Sequence, residues 1–128
     1  MKHTWIYDLE VFRKIFTATF IHKDTDETRV FVITIHDNKI IDDREELFSF
    51  LMNEVAGLVG YNNLHYDSQI LEYFIKHPKS TTEELRAYSD LIINSENRRP
   101  DYPEWKLSIP QLDLFRALSL SVKAKRTS

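Results

Sequence analysis

Arg13-Lys14-Ile15-Phe16-Thr17-Ala18-Thr19-Phe20-Ile21-His22 is the stretch on which the reading of the fold turns. Ile15, Thr17, Thr19 and Ile21 alternate with Phe16, Ala18 and Phe20, and a period of two sends the two sets to opposite faces of a β-strand. The residues are β-branched or aromatic, the types that suit a pleated, half-buried surface. Outward from this strand, Thr4–Glu10 reads as a strand before it, and Arg29–His36, rich in Val, Ile, Phe and Thr, as one after it. The connections are short and polar, Asp24-Thr25-Asp26-Glu27 among them, so the three strands predict an antiparallel meander.

Beyond His36 the period changes. Asp43 stands where it would cap a helix, with Glu46 three residues on as in a capping box. Leu47, Phe48, Leu51, Met52 and Val55 recur at helical spacing. Ala56–Tyr61 contains both glycines of the chain, Gly57 and Gly60, and predicts a short buried strand. A second helix is expected from near Asp67, burying Ile70, Leu71, Phe74 and Ile75 and ending before Pro78. Ser80-Thr81-Thr82-Glu83-Glu84 offers overlapping capping boxes for a third, through about Asn94. Glu96–Lys106, with Pro100 and Pro103, reads as a loop. Ser108–Leu114 reads as one more strand and Phe115–Leu120 as the start of a helix. The expected fold is α/β: a mixed sheet, with a three-strand antiparallel meander extended by crossover strands and flanked by helices.

With 128 residues, 42% of them hydrophobic, the chain has the size and apolar content of one domain with its own core. It has no cysteine, which excludes disulfides and thiolate metal sites and suits a reducing compartment. The start, Met1-Lys2-His3-Thr4-Trp5, reaches Asp8 too early for a signal peptide, and no apolar run approaches the ~18 residues of a membrane span. A soluble, cytoplasmic protein without a membrane partner is expected. The net charge of −3 argues against a broad electrostatic grip on a polyanion. Divalent cations bound by clustered carboxylates would supply positive charge locally, so a metal-dependent nuclease is not excluded. Arg98-Arg99 with Lys106, and Lys123-Ala124-Lys125-Arg126, read as a solvated loop and a frayed tail, although either set has the charge to track phosphates.

Asp8 and Glu10 end the apolar run Trp5-Ile6-Tyr7. Side chains two apart on a strand share a face, with Cα atoms roughly 6–7 Å apart, so the two carboxylates can converge on a hard cation. Without one, two such acids beside a core repel each other and lose hydration. Asp24/Asp26 and Asp43/Glu45 share the spacing, so the apolar setting, not the spacing, singles out Asp8 and Glu10. A surface pair on an edge strand is the plainer alternative. Asp67 follows an apolar strand and a polar turn at the start of a helix, where backbone N–H groups favour an anion; a simple N-cap is the alternative. Asn62 and Asn63 suit left-handed turn geometry.

Trp5-Ile6-Tyr7-Asp8-Leu9-Glu10 resembles the first exonuclease motif, Asp-x-Glu after an apolar strand, of the DnaQ-like 3′–5′ exonucleases of the ribonuclease H-like superfamily. Gly60-Tyr61-Asn62-Asn63-Leu64-His65-Tyr66-Asp67 resembles their second motif, Asn-x-x-Phe/Tyr-Asp. The likeness is closest to the proofreading exonuclease domain of phage-type family B DNA polymerases. It covers residues 3–77 and 109–118, the latter because Gln111-Leu112-Asp113-Leu114-Phe115-Arg116 is similar to a stretch that often follows the second motif. The resemblance implies a ribonuclease H-like sheet and two-metal hydrolysis of single-stranded DNA with Mg²⁺ or Mn²⁺. It implies that Asp8 bridges the two ions, that Glu10 binds one and orients the attacking water, and that Asp67 supports the other. Asn63 would hydrogen-bond the terminal nucleotides, and Leu9 and Tyr66 would pack the 3′ end. A DNA polymerase, or the remainder of a longer chain, is the implied partner, in a phage-infected or bacterial cell. The sequence departs from the family at Val11, where threonine is common. It also lacks, after residue 113, the Tyr-x-x-x-Asp or His-x-x-x-Asp motif that carries the last acid. Residues 1–128 are therefore expected to be the N-terminal part of an exonuclease domain, with a catalytically incomplete nucleic-acid- or protein-binding module on the same fold as the alternative.

Overall fold

Four antiparallel strands come first in the computed structural model, which describes residues 1–36, 38–95 and 99–118. They are β1 (His3–Val11), β2 (Ile15–His22), β3 (Thr28–His36) and β4 (Lys39–Asp42). Helix α1 (Arg44–Glu54) then leads to β5 (Val55–Gly60), followed by α2 (Asp67–Lys76), α3 (Thr82–Asn94), a 3₁₀ turn at Glu104–Lys106 and β6 (Gln111–Asp113). β5 joins the far side of β1 in parallel and β6 joins β5 in parallel, giving the order β4-β3-β2-β1-β5-β6. The fold is thus α/β, with a six-stranded mixed sheet, and β1 lies between its antiparallel and parallel halves. No helix among the described residues is long and apolar enough to cross a membrane.

The alternation in β2 decides which face is covered. Phe16, Ala18 and Phe20 are fully buried, with Trp5, Tyr7 and Leu9 of β1 and Phe31 and Ile33 of β3 on the same side. Phe50 of α1 meets the rings of Trp5, Phe20 and Phe31 at 4.9–5.1 Å between centroids. Ile70, Leu71 and Phe74 of α2 and Leu85 of α3 belong to the same core. The opposite face carries Ile6, Asp8, Glu10, Ile15, Ile21, Val30, Ile41 and Leu112, all exposed. α1, α2 and α3 contribute their buried side chains to the core on the Phe16 and Phe20 face.

Several local expectations are corrected. The meander has four strands, because Lys39–Asp42 pairs with β3. Asp43 makes no side-chain cap on α1; its carboxylate accepts the Val32 N–H at 2.9 Å and ties the helix entry to β3. Val55 opens β5 instead of closing α1, and it is buried in the core together with Phe50. The last strand is three residues, Gln111–Asp113, and residues 114–118 are helical. The expected helix beyond 118 and the loop positions 96–98 lie outside the described residues. The capping box on α3 forms as expected, through Thr81 and Glu84. So does the polar turn after β2, where Asp26 takes φ 61° and buried His22 accepts the Asp24 and Thr25 N–H groups through Nδ1.

One-sided packing sets a contrast between neighbouring residues of β2. Phe20→Ala should cost about 3–5 kcal/mol through lost transfer energy and a cavity, whereas Ile21→Ala should cost about 1 kcal/mol or less. Urea denaturation of both variants measures the difference, and similar losses would mean that both faces are covered.

Candidate functional site

β1 and β5 part company halfway along. Their pairing ends at Ile6 with Val59, and β5 ends at Gly60, while β1 runs on to Val11. The Leu9 N–H therefore points toward a neighbour that is no longer a strand. The Asp67 carboxylate takes it, with Oδ2 at 3.3 Å from the Leu9 nitrogen. Asp67 thus lies against β1 at the residue between Asp8 and Glu10. It occupies the first position of α2, and the N-cap, Tyr66, makes no side-chain cap.

The turn that brings Asp67 there is tightly specified. Asn62 adopts φ 56°, a left-handed conformation that asparagine tolerates better than most residues. Asn63 carbonyl oxygen accepts the N–H groups of Tyr66 and Ser68 at 3.3 and 2.7 Å. A Cβ on Gly60 would lie 2.8 Å from both Cβ and Cγ of Asn63, so the end of β5 has no room for a side chain. Asp113, buried at the end of β6, accepts the N–H groups of Asn62, Leu64, Phe115 and Arg116 at 2.8–3.4 Å. Its carboxylate thereby clamps the turn before α2 to the helical residues 114–118. Alongside, Tyr7 Oη and Asn63 Nδ2 both donate to Gln111 Oε1, at 2.6 and 2.9 Å.

The residues singled out in the sequence divide into four groups. Asp67 is drawn to β1, and the Asp8 charge acts on it. Asp8 and Glu10 share the open face of the sheet and are exposed, opposite Thr19 and Thr17 of β2. Leu9 and Asn63 are correctly placed in sequence but face inward. The Leu9 side chain is in the core, and Asn63 has no exposed surface, its amide turned to Gln111. Both side chains are thus buried in this structure, and Asn63 Oδ1 has no hydrogen-bond partner among the described residues. Leu9 serves the site through its backbone and Asn63 through the turn. Tyr66 is half-buried, its hydroxyl 2.7 Å from Ser89 Oγ on α3.

Asp113, Gln111 and Gly60, quoted in the motifs above but given no site role there, are positioning residues. Two further buried groups, Gln69 and Glu72 of α2, fix the following loop. Gln69 exchanges hydrogen bonds with the Tyr102 backbone, and Glu72 accepts the Ser108 N–H and hydroxyl at 2.7 and 2.6 Å. The signal available in the sequence was an unpartnered acid or amide at an apolar strand end or on an apolar helix face.

Electrostatically, Asp67 is the unusual member. Burial raises its pKa from 3.8 to about 6, the hydrogen bond from Leu9 N–H pulls it down, and the charges of Asp8 and Asp113 push it up. The Tyr7 hydroxyl is likewise pushed well above its ordinary value, first by burial and then by the Asp67 charge. The oxygens of Asp8, Glu10 and Asp67 are the hard donors that Mg²⁺ and Mn²⁺ prefer. Among the described residues no three His, Cys, Asp or Glu side chains converge closely enough to hold a metal ion. No family model matches the sequence, and no curated protein matches it.

The raised pKa has a consequence for stability. The folded state holds the Asp67 proton more tightly than the unfolded chain, so this group erodes stability as pH rises from about 4 to about 6 and the loss persists above that. Asp67→Asn, which keeps an acceptor for Leu9, should therefore stabilise the protein by about 2–3 kcal/mol at pH 7.5 and hardly at all at pH 4. Urea denaturation at the two pH values tests this, and an equal gap at both would mean that charge on Asp67 is not the cost.

Proposed function

We propose that this chain is a metal-dependent 3′–5′ exonuclease module acting on the 3′ end of single-stranded DNA, with its sheet in a ribonuclease H-like arrangement. The observation that carries the reading is the seat of Asp67. A carboxylate with a raised proton affinity is held against β1 by the N–H of Leu9, the residue between two exposed acids, and the charges of Asp8 and Asp113 act on it. Perturbed pKa values cluster at functional sites. The sheet supports the same reading, since an antiparallel meander continued in parallel on the other side of its first strand is what the motif resemblance implies.

In this reading Asp8 and Asp67 would hold Mg²⁺ or Mn²⁺, and the ion would supply activation of water and stabilisation of charge on the phosphate. Glu10, one strand repeat beyond Asp8 on the wet face, accepts a hydrogen bond from the attacking water. Leu9 N–H fixes the Asp67 carboxylate, so little reorganisation is needed as the cation arrives. Asp113 and Gln111 hold the turn that carries Asp67 and touch no substrate. A catalytically incomplete binding module on the same fold is the second reading.

Incubation with 5′-labelled single-stranded DNA and Mn²⁺ tests the proposal. Stepwise shortening from the 3′ end is expected, abolished by EDTA and reduced at least about 100-fold in Asp8→Ala. DNA that is bound but never shortened would replace this reading with the second.

A further inference from the structure

The hairpin that follows the acidic pair is built unlike the rest of β1. Phe12 N–H donates to the Ile15 carbonyl at 2.8 Å, so Arg13 and Lys14 form a two-residue tip. The alternation that buries Tyr7 and Leu9 places Asp8, Glu10 and Phe12 in succession toward the open side. Phe12 is 53% exposed, so its ring is available to solvent at the hairpin end. Its ring lies roughly 6–7 Å of backbone beyond Glu10 and about 13 Å beyond Asp8. Arg13 and Lys14 are exposed and form no ion pair among the described residues. By contrast, Arg86, which backs the hairpin by donating to the Val11 carbonyl at 3.3 Å, is neutralised by Asp90 at 3.0 Å. Arg13 and Arg86 line one shallow hollow with Glu83, Ala87 and Asp90.

An exposed aromatic ring flanked by two unpaired cations suits a strand that is both stackable and polyanionic. We propose that the Phe12-Arg13-Lys14 hairpin tip is the contact surface for single-stranded nucleic acid. Phe12 stacks on a base and the two cations meet phosphates, so that the strand end is led onto the acids of β1. This rests on the nuclease reading above and adds to it the surface that grips the polymer. It also explains how a chain of net charge −3 holds a polyanion, since the grip is local.

Fluorescence anisotropy with a labelled oligothymidylate tests the inference, with Ca²⁺ supplied so that binding is read without turnover. The variants are Phe12→Ala and the double variant Arg13→Ser/Lys14→Ser. All three positions are solvent-exposed, so thermal unfolding should be unchanged in both. Phe12→Ala should weaken binding about tenfold. The double variant should flatten the plot of log affinity against log salt by about 1.4, at about 0.7 per phosphate contact on a single strand. On an oligomer of abasic sites the Phe12→Ala effect should vanish. If the wild type binds and shortens DNA while both variants bind equally well, the hairpin inference is overturned and the nuclease reading stands. A wild type that binds no oligonucleotide overturns both.

Discussion

A backbone N–H in the second half of β1 has no strand to bond to, and much of the molecule is arranged around that fact. β5 covers the outer edge of β1 only as far as Ile6. Beyond it, Leu9 N–H lies beside the core, where an unmade hydrogen bond costs about 1–3 kcal/mol. Asp67 meets the need, but only if the chain reverses within the few residues after Gly60. The bare Cα of Gly60, the left-handed Asn62, the inward amide of Asn63 and the four N–H groups gathered by Asp113 all serve that reversal. What reads in the sequence as a motif of functional side chains is in large part the machinery of a turn.

The asymmetry of the sheet decides how the acids share their electrostatic burden. The described helices cover one face, and Asp8 and Glu10 stand on the other, in water. Asp67 reaches them from the strand edge and carries the desolvation that they escape. A site made this way combines solvated donors with one poised acid, and the cost of keeping it falls on a single residue. Asp113 is also buried and acidic, yet it is surrounded by backbone N–H groups.

The period-two pattern of Ile15–His22, the capping box at Thr81 and the start of α2 at Asp67 were all legible, because each is local. β4 was not, since Lys39-Ile40-Ile41-Asp42 is short and wholly exposed and shows no alternation of burial. Asp43 misled because a capping residue and a strand tie use the same carboxylate, and only tertiary placement shows that Val32 claims it. The inward direction of Leu9 and Asn63 was not legible for a related reason: a motif fixes residue type, not the direction of a side chain. The partners of Gln69, Glu72 and Asn63 lie 33 to 48 residues away, and no local pattern announces such pairs. The convergence of Asp67 on β1 was expected from the motif resemblance, while its hydrogen bond to Leu9 belongs to the place where β5 stops.

The two faces of β1 also guard its alignment. Trp5, Tyr7 and Leu9 alternate with Ile6, Asp8 and Glu10, so a slip of one residue against β2 would exchange the sets. Ile6 would fit among Phe20, Phe31 and Phe50 well enough. Asp8 and Glu10 would not, because two unpaired carboxylates would enter an apolar core at a cost of several kcal/mol each. The same acids that stand in water on the open face therefore leave this hairpin one workable pairing. Replacing them with apolar residues would remove more than metal affinity, since the strand would lose its means of telling one side from the other.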